Sequence, residues 1–349
     1  MADGSVSAPI ISLSGAALRE NVRSWKRLTR AGVRAVVKAD GYGFGLERIV
    51  RELDGVADGF VVSDLNEFER LRSLSSAPAA TLYDGGPEYV CRVADLGGIV
   101  NIARFDSLAA LARRSNASEV TARVGLRLAA GWSAIDIDDA KEYAHLLSRS
   151  GMRVELWTHL SNPATEAEDR ELFARFVALF RENGVEVAGE DVESTFPAAR
   201  GGVWGGSIRI GVGLFGSGTP GTGNERLTCA IEVRATVLDR IFSDGTLRAG
   251  YGPDALPCGS QVSVLRCGYS DGFPRVTRPY RSLLSVGMQY SILRDAVAGD
   301  ECQLLGPDDD LDELAAAAYV LPHQIVTGLG LASQRQACFA YNSGCDIAR

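Results

Sequence analysis

Lysine and histidine are scarce in this chain of 349 residues: Lys26, Lys38 and Lys141 are the only lysines among 36 basic residues, and the histidines are His145, His159 and His323. An amine that can lose its proton differs from an always-charged guanidinium, so a lysine at a structurally special place becomes a candidate for amine chemistry. Long apolar runs are also missing. None approaches the roughly 20 residues a membrane-spanning helix needs, which excludes a helical membrane protein. Positive charge is in deficit, 36 Lys and Arg against 44 Asp and Glu for a net charge of −8, so there is no electrostatic footprint for nucleic acid. The seven cysteines form no CxxC and no cysteine–histidine spacing suited to zinc. No metal site is expected, and the thiols read as reduced and structural. The first residues lack a basic segment followed by an apolar one, so the expected location is the cytoplasm.

With 46% hydrophobic and 23% charged residues, the composition is that of an ordinary globular protein of about two domains. Eight short apolar runs alternate with helical patterns over the first two thirds of the chain. They are Val33 to Ala39, Gly59 to Ser63, Ala80 to Tyr83, Gly98 to Ala103, Val120 to Leu126, Arg153 to Thr158, Val185 to Gly189 and Ser207 to Leu214. Eight such βα units predict an α/β fold, a (β/α)₈ TIM barrel over residues 1–222. The segment GSGTPGTGN after Leu214-Phe215 then reads as a boundary loop. Residues 223–349 alternate short apolar runs with Gly, Pro and Asp, which predicts a mainly antiparallel β domain with one short helix, Leu311 to Ala318. The first residues of the chain are free to join this second domain.

In a TIM barrel the active site lies at the carboxyl ends of the strands. The first run ends in VVKADGYGFG, placing Lys38 at the mouth with Tyr42 and a glycine-rich turn behind it. A lysine stem packed among apolar groups can become an imine-forming amine; it can equally be a strand-end lysine that snorkels to water. The sixth run ends in WTHL, which brings His159 to the mouth, either as a core histidine or as a functional one. The eighth, SIRIGVGLFG, brings Arg209, with the small residues Gly211 and Val212 placed where backbone amides can approach a phosphate.

These segments, with AGYGPD, GYSDGFPR and SVGM further on, resemble those of the alanine racemase family, in order from about Ser12 to about Gly330. The family's members are pyridoxal-phosphate enzymes that join a (β/α)₈ barrel to a C-terminal β domain and act as homodimers with shared active sites. The resemblance implies that Lys38 carries pyridoxal 5'-phosphate, that Tyr42, Ser194, Gly211 and Val212 hold its phosphate, and that His159 lies near its ring. Arg209 would face the pyridine nitrogen. It further implies that Tyr251, donated by a partner subunit, is the second base opposite Lys38, that the Met288 amide holds the substrate carboxylate, and that Tyr269 lines the entry.

Departures from the family pattern cluster around the substrate. Arg123 stands where a lysine is expected, and Ala130 where an arginine should grip the substrate carboxylate, with Arg127 available to reach inward instead. Gln289 replaces an aspartate, Phe44 a histidine, and Leu331 an entrance tyrosine. The resulting expectation is an isomerase, an amino-acid racemase or epimerase with a two-base mechanism, acting on a substrate other than or larger than alanine. A decarboxylase of the same fold and a non-catalytic cofactor-binding homologue are the alternatives.

Overall fold

The barrel is built from strands β2 (Gly32–Val36), β3 (Gly59–Val62), β4 (Ala79–Thr81), β5 (Ile99–Ile102), β6 (Arg123–Arg127), β7 (Arg153–His159), β8 (Val187–Glu193) and β9 (Ser207–Ile210), which pair in chain order and close on themselves. Every pairing is parallel, and β9 returns to β2 with Arg209 opposite Arg34. This computed structural model describes residues 7–117, 123–128, 135–160, 164–193, 206–218, 227–249, 255–278, 280–295, 297 and 299–343. Strands such as Gly59–Val62 are buried at every position, as strands covered on both faces must be. Two of the barrel's helices start at side-chain caps. Ser14 Oγ accepts from the Ala17 amide at 3.2 Å to begin α1 (Gly15–Thr29), and Asp64 Oδ1 accepts from the Glu67 amide at 3.0 Å to begin α4 (Leu65–Leu74).

Inside the barrel the side chains form layers. Near the amino ends of the strands, Glu155 bonds Arg34 at 2.6 Å and Arg123 at 2.7 Å. Val36, Val61, Ala80 and Ile99 form an apolar cluster of their own, with Leu82 packed against it. Trp157, 1% exposed, fills the interior nearer the mouth. This layering corrects one expectation. Arg123 is the first residue of β6 and belongs to the closed end of the barrel, whereas Arg127, four residues on along the same face, ends the strand at the mouth.

A second sheet is antiparallel, in the order β1 (Ile10–Leu13), β10 (Ile231–Phe242), β11 (Gln261–Leu265), β13 (Ser291–Arg294), β12 (Leu283–Val286), with β14 (Glu301–Leu305) paired to β10. The first strand of the chain thus belongs to this sheet. Residues 222 and 223, the expected boundary, lie outside the described residues. Two helices follow the sheet: α9 (Leu311–Ala318), as expected, and α10 (Pro322–Ser343), which was not. Helix α10 packs on β1 and on the Lys38–Tyr42 turn. Among the described residues, no single helix is long and apolar enough to cross a membrane.

Candidate active site

Lys38 sits where β2 stops being a strand. The Val37 amide still bonds the Val61 carbonyl at 2.8 Å, and the chain then closes into a single turn, α2 (Lys38–Tyr42), whose backbone is left-handed. Ala39 (φ 54°), Asp40 (φ 53°) and Tyr42 (φ 56°) all adopt this conformation. For non-glycine residues it costs roughly 1–2 kcal/mol each, so tertiary contacts must hold it.

Asp40 is the centre of those contacts. Its amide donates to Glu67 Oε1 at 2.8 Å, while its carboxylate accepts from the Leu46 amide at 3.1 Å, from Arg70 at 2.7 Å and from Gln334 Nε2 of α10 at 2.6 Å. Burial pushes the Asp40 carboxyl up, but the hydrogen bonds from Gln334, Leu46 and Arg70 outweigh it and hold the group below its ordinary range. A carboxyl lowered in the folded state stabilises it above the unfolded pKa of about 3.9, and that contribution is lost as pH falls through the lower folded value. Asp40→Ala should lower stability by about 2 kcal/mol at pH 7, as a half-exposed charge-assisted network would. Urea melts of wild type and variant should converge as the pH is taken below 4.

Tyr42 is buried and ringed by aromatic groups, with the Phe215 centroid at 5.4 Å and that of His323 at 6.2 Å. Phe44 stacks on Phe215 at 5.8 Å. At Gly211 any Cβ would overlap Tyr42 Oη, and at Gly330 any Cβ would overlap the Tyr42 carbonyl. Glycine at the first position lets the tyrosine hydroxyl lie directly on the end of β9; at the second it lets α10 lie directly on the Lys38 turn. Val212 opens the 3-10 helix Val212–Phe215.

Across the mouth, Arg209 is 2% exposed and its guanidinium lies 4.1 Å from the centroid of the Trp157 ring, with that of Arg127 at 5.4 Å. Cation–ring contacts of this kind fix a planar cation in a desolvated place. His159, last residue of β7, is in register with Glu193, and Glu193 with Arg209. His323 reaches the same region from α10. Burial pushes its imidazole below the ordinary range, and the positive charge of Lys38 and then His159 adds to the effect, against the opposing charge of Asp312.

Of the expected site residues, the barrel thus gathers Lys38, Tyr42, His159, Arg209, Gly211, Val212 and Arg127 at its carboxyl end. Ser194, Tyr251 and Ala130 lie outside the described residues. Tyr269 and Met288 stand elsewhere: both are exposed, joined through the Tyr269 amide to the Gly287 carbonyl at 3.0 Å and the Ser270 hydroxyl to the Met288 carbonyl at 2.7 Å. Leu331, half-exposed, packs on the Gly43 backbone, and the C-terminal ring that faces Tyr42 is His323. Sequence reasoning passed over Asp40, Trp157 and His323. Trp157 had a usable signal, since it is two residues before His159 on the same face of the strand.

Residues 13–218 match the family model described as alanine racemase, N-terminal domain. The chain belongs to the alanine racemase family. Along most of its length it is similar to the alanine racemase of Pseudomonas taetrolens, 27% identical over 341 residues that cover 90% of this chain and 94% of that protein. It is likewise 27% identical to that of Acidiphilium cryptum, over 92% of this chain and 96% of the other. Among solved structures it resembles the biosynthetic alanine racemase of Pseudomonas aeruginosa, with a TM-score of 0.75, 22% identity, and coverage of 92% and 97%. The alanine racemase of Bartonella henselae with covalently bound pyridoxal phosphate gives a TM-score of 0.74 at 19% identity, with coverage of 93% and 98%. These structural likenesses establish a shared fold, a barrel followed by a β domain.

Proposed function

We propose that this protein is a pyridoxal-phosphate-dependent amino-acid racemase or epimerase that uses two bases, on a substrate other than alanine or larger than it. The observation that carries the reading is the convergence, at one end of the barrel, of Lys38, His159 and Arg209 with Tyr42 set against Gly211. The residues fit the cofactor. The Tyr42 hydroxyl set directly against the Gly211 backbone suits a phosphate, Lys38 is the amine that follows the end of β2, and Arg209 is a buried cation over the Trp157 ring.

When bound, pyridoxal phosphate supplies the electron-withdrawing system that acidifies the substrate Cα–H. The chain's own groups then divide the work. Lys38 anchors the cofactor and moves a proton on one face, and Tyr251, from the partner in a homodimer, moves it on the other. Arg209 does not give up its proton, so placed against the cofactor's pyridine nitrogen it would leave that nitrogen unprotonated and the cofactor a weaker electron sink. Such a site favours prompt return of the proton. Ser194 would share the phosphate with Tyr42 and the Gly211 and Val212 amides. The exposure of Tyr269 and Met288 suits groups offered to a partner's entrance rather than to their own.

Substrate choice rests on the carboxylate contact. Seven residues beyond Arg123 stands Ala130, and seven beyond Arg127, the residue at the mouth, stands Ala134. Neither supplies a guanidinium, which leaves Arg127 to meet the carboxylate and makes room for a larger substrate. The test is Cα proton exchange. The purified protein with pyridoxal phosphate is incubated with a panel of amino acids in deuterated water and followed by NMR with chiral analysis. Exchange with inversion, fastest for an amino acid larger than alanine, is the expected result. Fastest inversion of alanine would overturn the substrate reading, and release of an amine without inversion would make the protein a decarboxylase.

A further inference from the structure

His323 is the one histidine that the barrel itself does not supply to the site, and α10 delivers it with several contacts that fix its place. Gly330 seats the helix on the Tyr42 backbone, Gln334 bonds Asp40 at 2.6 Å, and the His323 ring lies 6.2 Å from that of Tyr42. Tyr42 is therefore flanked by Gly211 through its hydroxyl and by His323 through its ring. We propose that His323 takes up a proton as the cofactor phosphate seats beside Tyr42, so that cofactor capture is coupled to protonation of this histidine. The inference rests on the pyridoxal-phosphate reading of the site and adds a proton to it.

The charges around His323 explain the coupling. Lys38 on the left-handed turn and His159 at the end of β7 oppose a charged imidazole, and burial opposes it more. The 3-10 helix and β1, which also pack on α10, carry no titratable side chain. Asp312 of α9 is the acidic group that favours protonation, but both its oxygens are already engaged, by Ser217 Oγ and the Gly218 amide, each at 2.7 Å. Before the cofactor arrives, these surroundings favour the neutral imidazole of His323. A phosphate monoester carries about 1.5 to 2 negative charges at this pH. Seated in the Tyr42 corner, it reverses the local balance and favours the imidazolium.

The chain's three histidines make the test direct. The full-length protein, labelled at its histidine rings, is titrated by NMR from pH 5 to 9, first stripped of cofactor and then with pyridoxal phosphate; His323 is identified as the signal absent from His323→Gln. Its midpoint should rise by at least one pH unit on loading, while pyridoxal, which lacks the phosphate, should leave it in place. Calorimetric loading in two buffers of different ionisation enthalpy should show proton uptake in the wild type that is smaller in His323→Gln. That variant should bind pyridoxal phosphate about tenfold more weakly at pH 7 and equally well at pH 9. A midpoint that does not move on loading, or moves equally with pyridoxal, overturns the proposal. Absence of any pyridoxal phosphate binding by the wild type overturns instead the cofactor reading beneath it. If His323→Gln does not fold, deletion of the other two signals in His145→Gln and His159→Gln identifies His323 by elimination, and the midpoint test stands unchanged.

Discussion

Lys38→Ala should abolish turnover, reducing kcat/KM by at least about 10³-fold, while leaving the fold intact. Two losses combine in this number. The lysine is the amine through which the cofactor is anchored, and it moves a proton at Cα, a role that alone is worth roughly 10²- to 10⁴-fold. The contacts that hold its turn belong to Asp40, Glu67, Arg70 and Gln334 and not to Lys38. The thermal transition of the variant should therefore stay within the range of ordinary surface substitutions, about 0.5 kcal/mol. Lys38→Arg should be equally inactive, because a guanidinium keeps its charge and cannot serve as the amine. Two readouts separate anchoring from proton transfer. Borohydride followed by mass analysis should fix the cofactor to wild-type protein at Lys38 and to neither variant. A small free amine added to Lys38→Ala should restore part of the proton transfer without restoring attachment. A borohydride-stable adduct in Lys38→Ala would mean that another group holds the cofactor.

The position of Lys38 shows where sequence reading works and where it stops. Alternating apolar runs and helices locate the barrel because parallel strands are buried on both faces, and that burial is written locally in residues such as Gly59–Val62. The predicted run Val33 to Ala39 overshoots the observed strand, which ends at Val36. What ends it is not local. Ala39, Asp40 and Tyr42 adopt left-handed backbone that their own preferences disfavour, held by Leu46 six residues on and by three partners 27 to 294 residues away. The same limit hides α10. Gly328 and Gly330 read as helix breakers in a segment with few polar-face cues, yet each permits a close backbone approach, to Gly272 and to Tyr42. With that helix unforeseen, His323 has no visible neighbour in the sequence. Arg123 and Arg127 illustrate a third kind of ambiguity: four residues apart on one strand, they share a face, and only the direction of β6 in the closed barrel decides which one stands at the mouth.

Glu155→Ala should be the most destabilising single change at the closed end of the barrel, by about 3–5 kcal/mol. The carboxylate, 5% exposed, sits between Arg34 at 2.6 Å and Arg123 at 2.7 Å. Burial pushes it up, but the two guanidiniums outweigh that and hold it below the ordinary carboxylate range. Removing it leaves two like charges facing each other, Arg34 mostly buried and Arg123 about a third exposed, which costs more than a vacant methylene volume. Glu155→Gln tests that reasoning, since it keeps the shape and a hydrogen-bond acceptor but loses the charge; it should fall between wild type and Glu155→Ala. Removing one cation instead, in Arg123→Met, leaves the remaining pair with Arg34 neutral overall and should cost less than Glu155→Ala. Because the folded carboxyl is lowered, its contribution is complete above the unfolded pKa of about 4.3 and disappears as pH falls through the lower folded value. Urea denaturation should accordingly show a large gap between wild type and Glu155→Ala at pH 7 that narrows in acid below pH 4. A gap that persists unchanged at pH 3 would assign the loss to packing around Trp157 and not to the charge. Activity gives the independent check, for Glu155 touches nothing at the mouth: variants that remain folded should retain the wild-type KM, and a change confined to KM would show that the charged layer also sets the position of Arg209 and Lys38 above it.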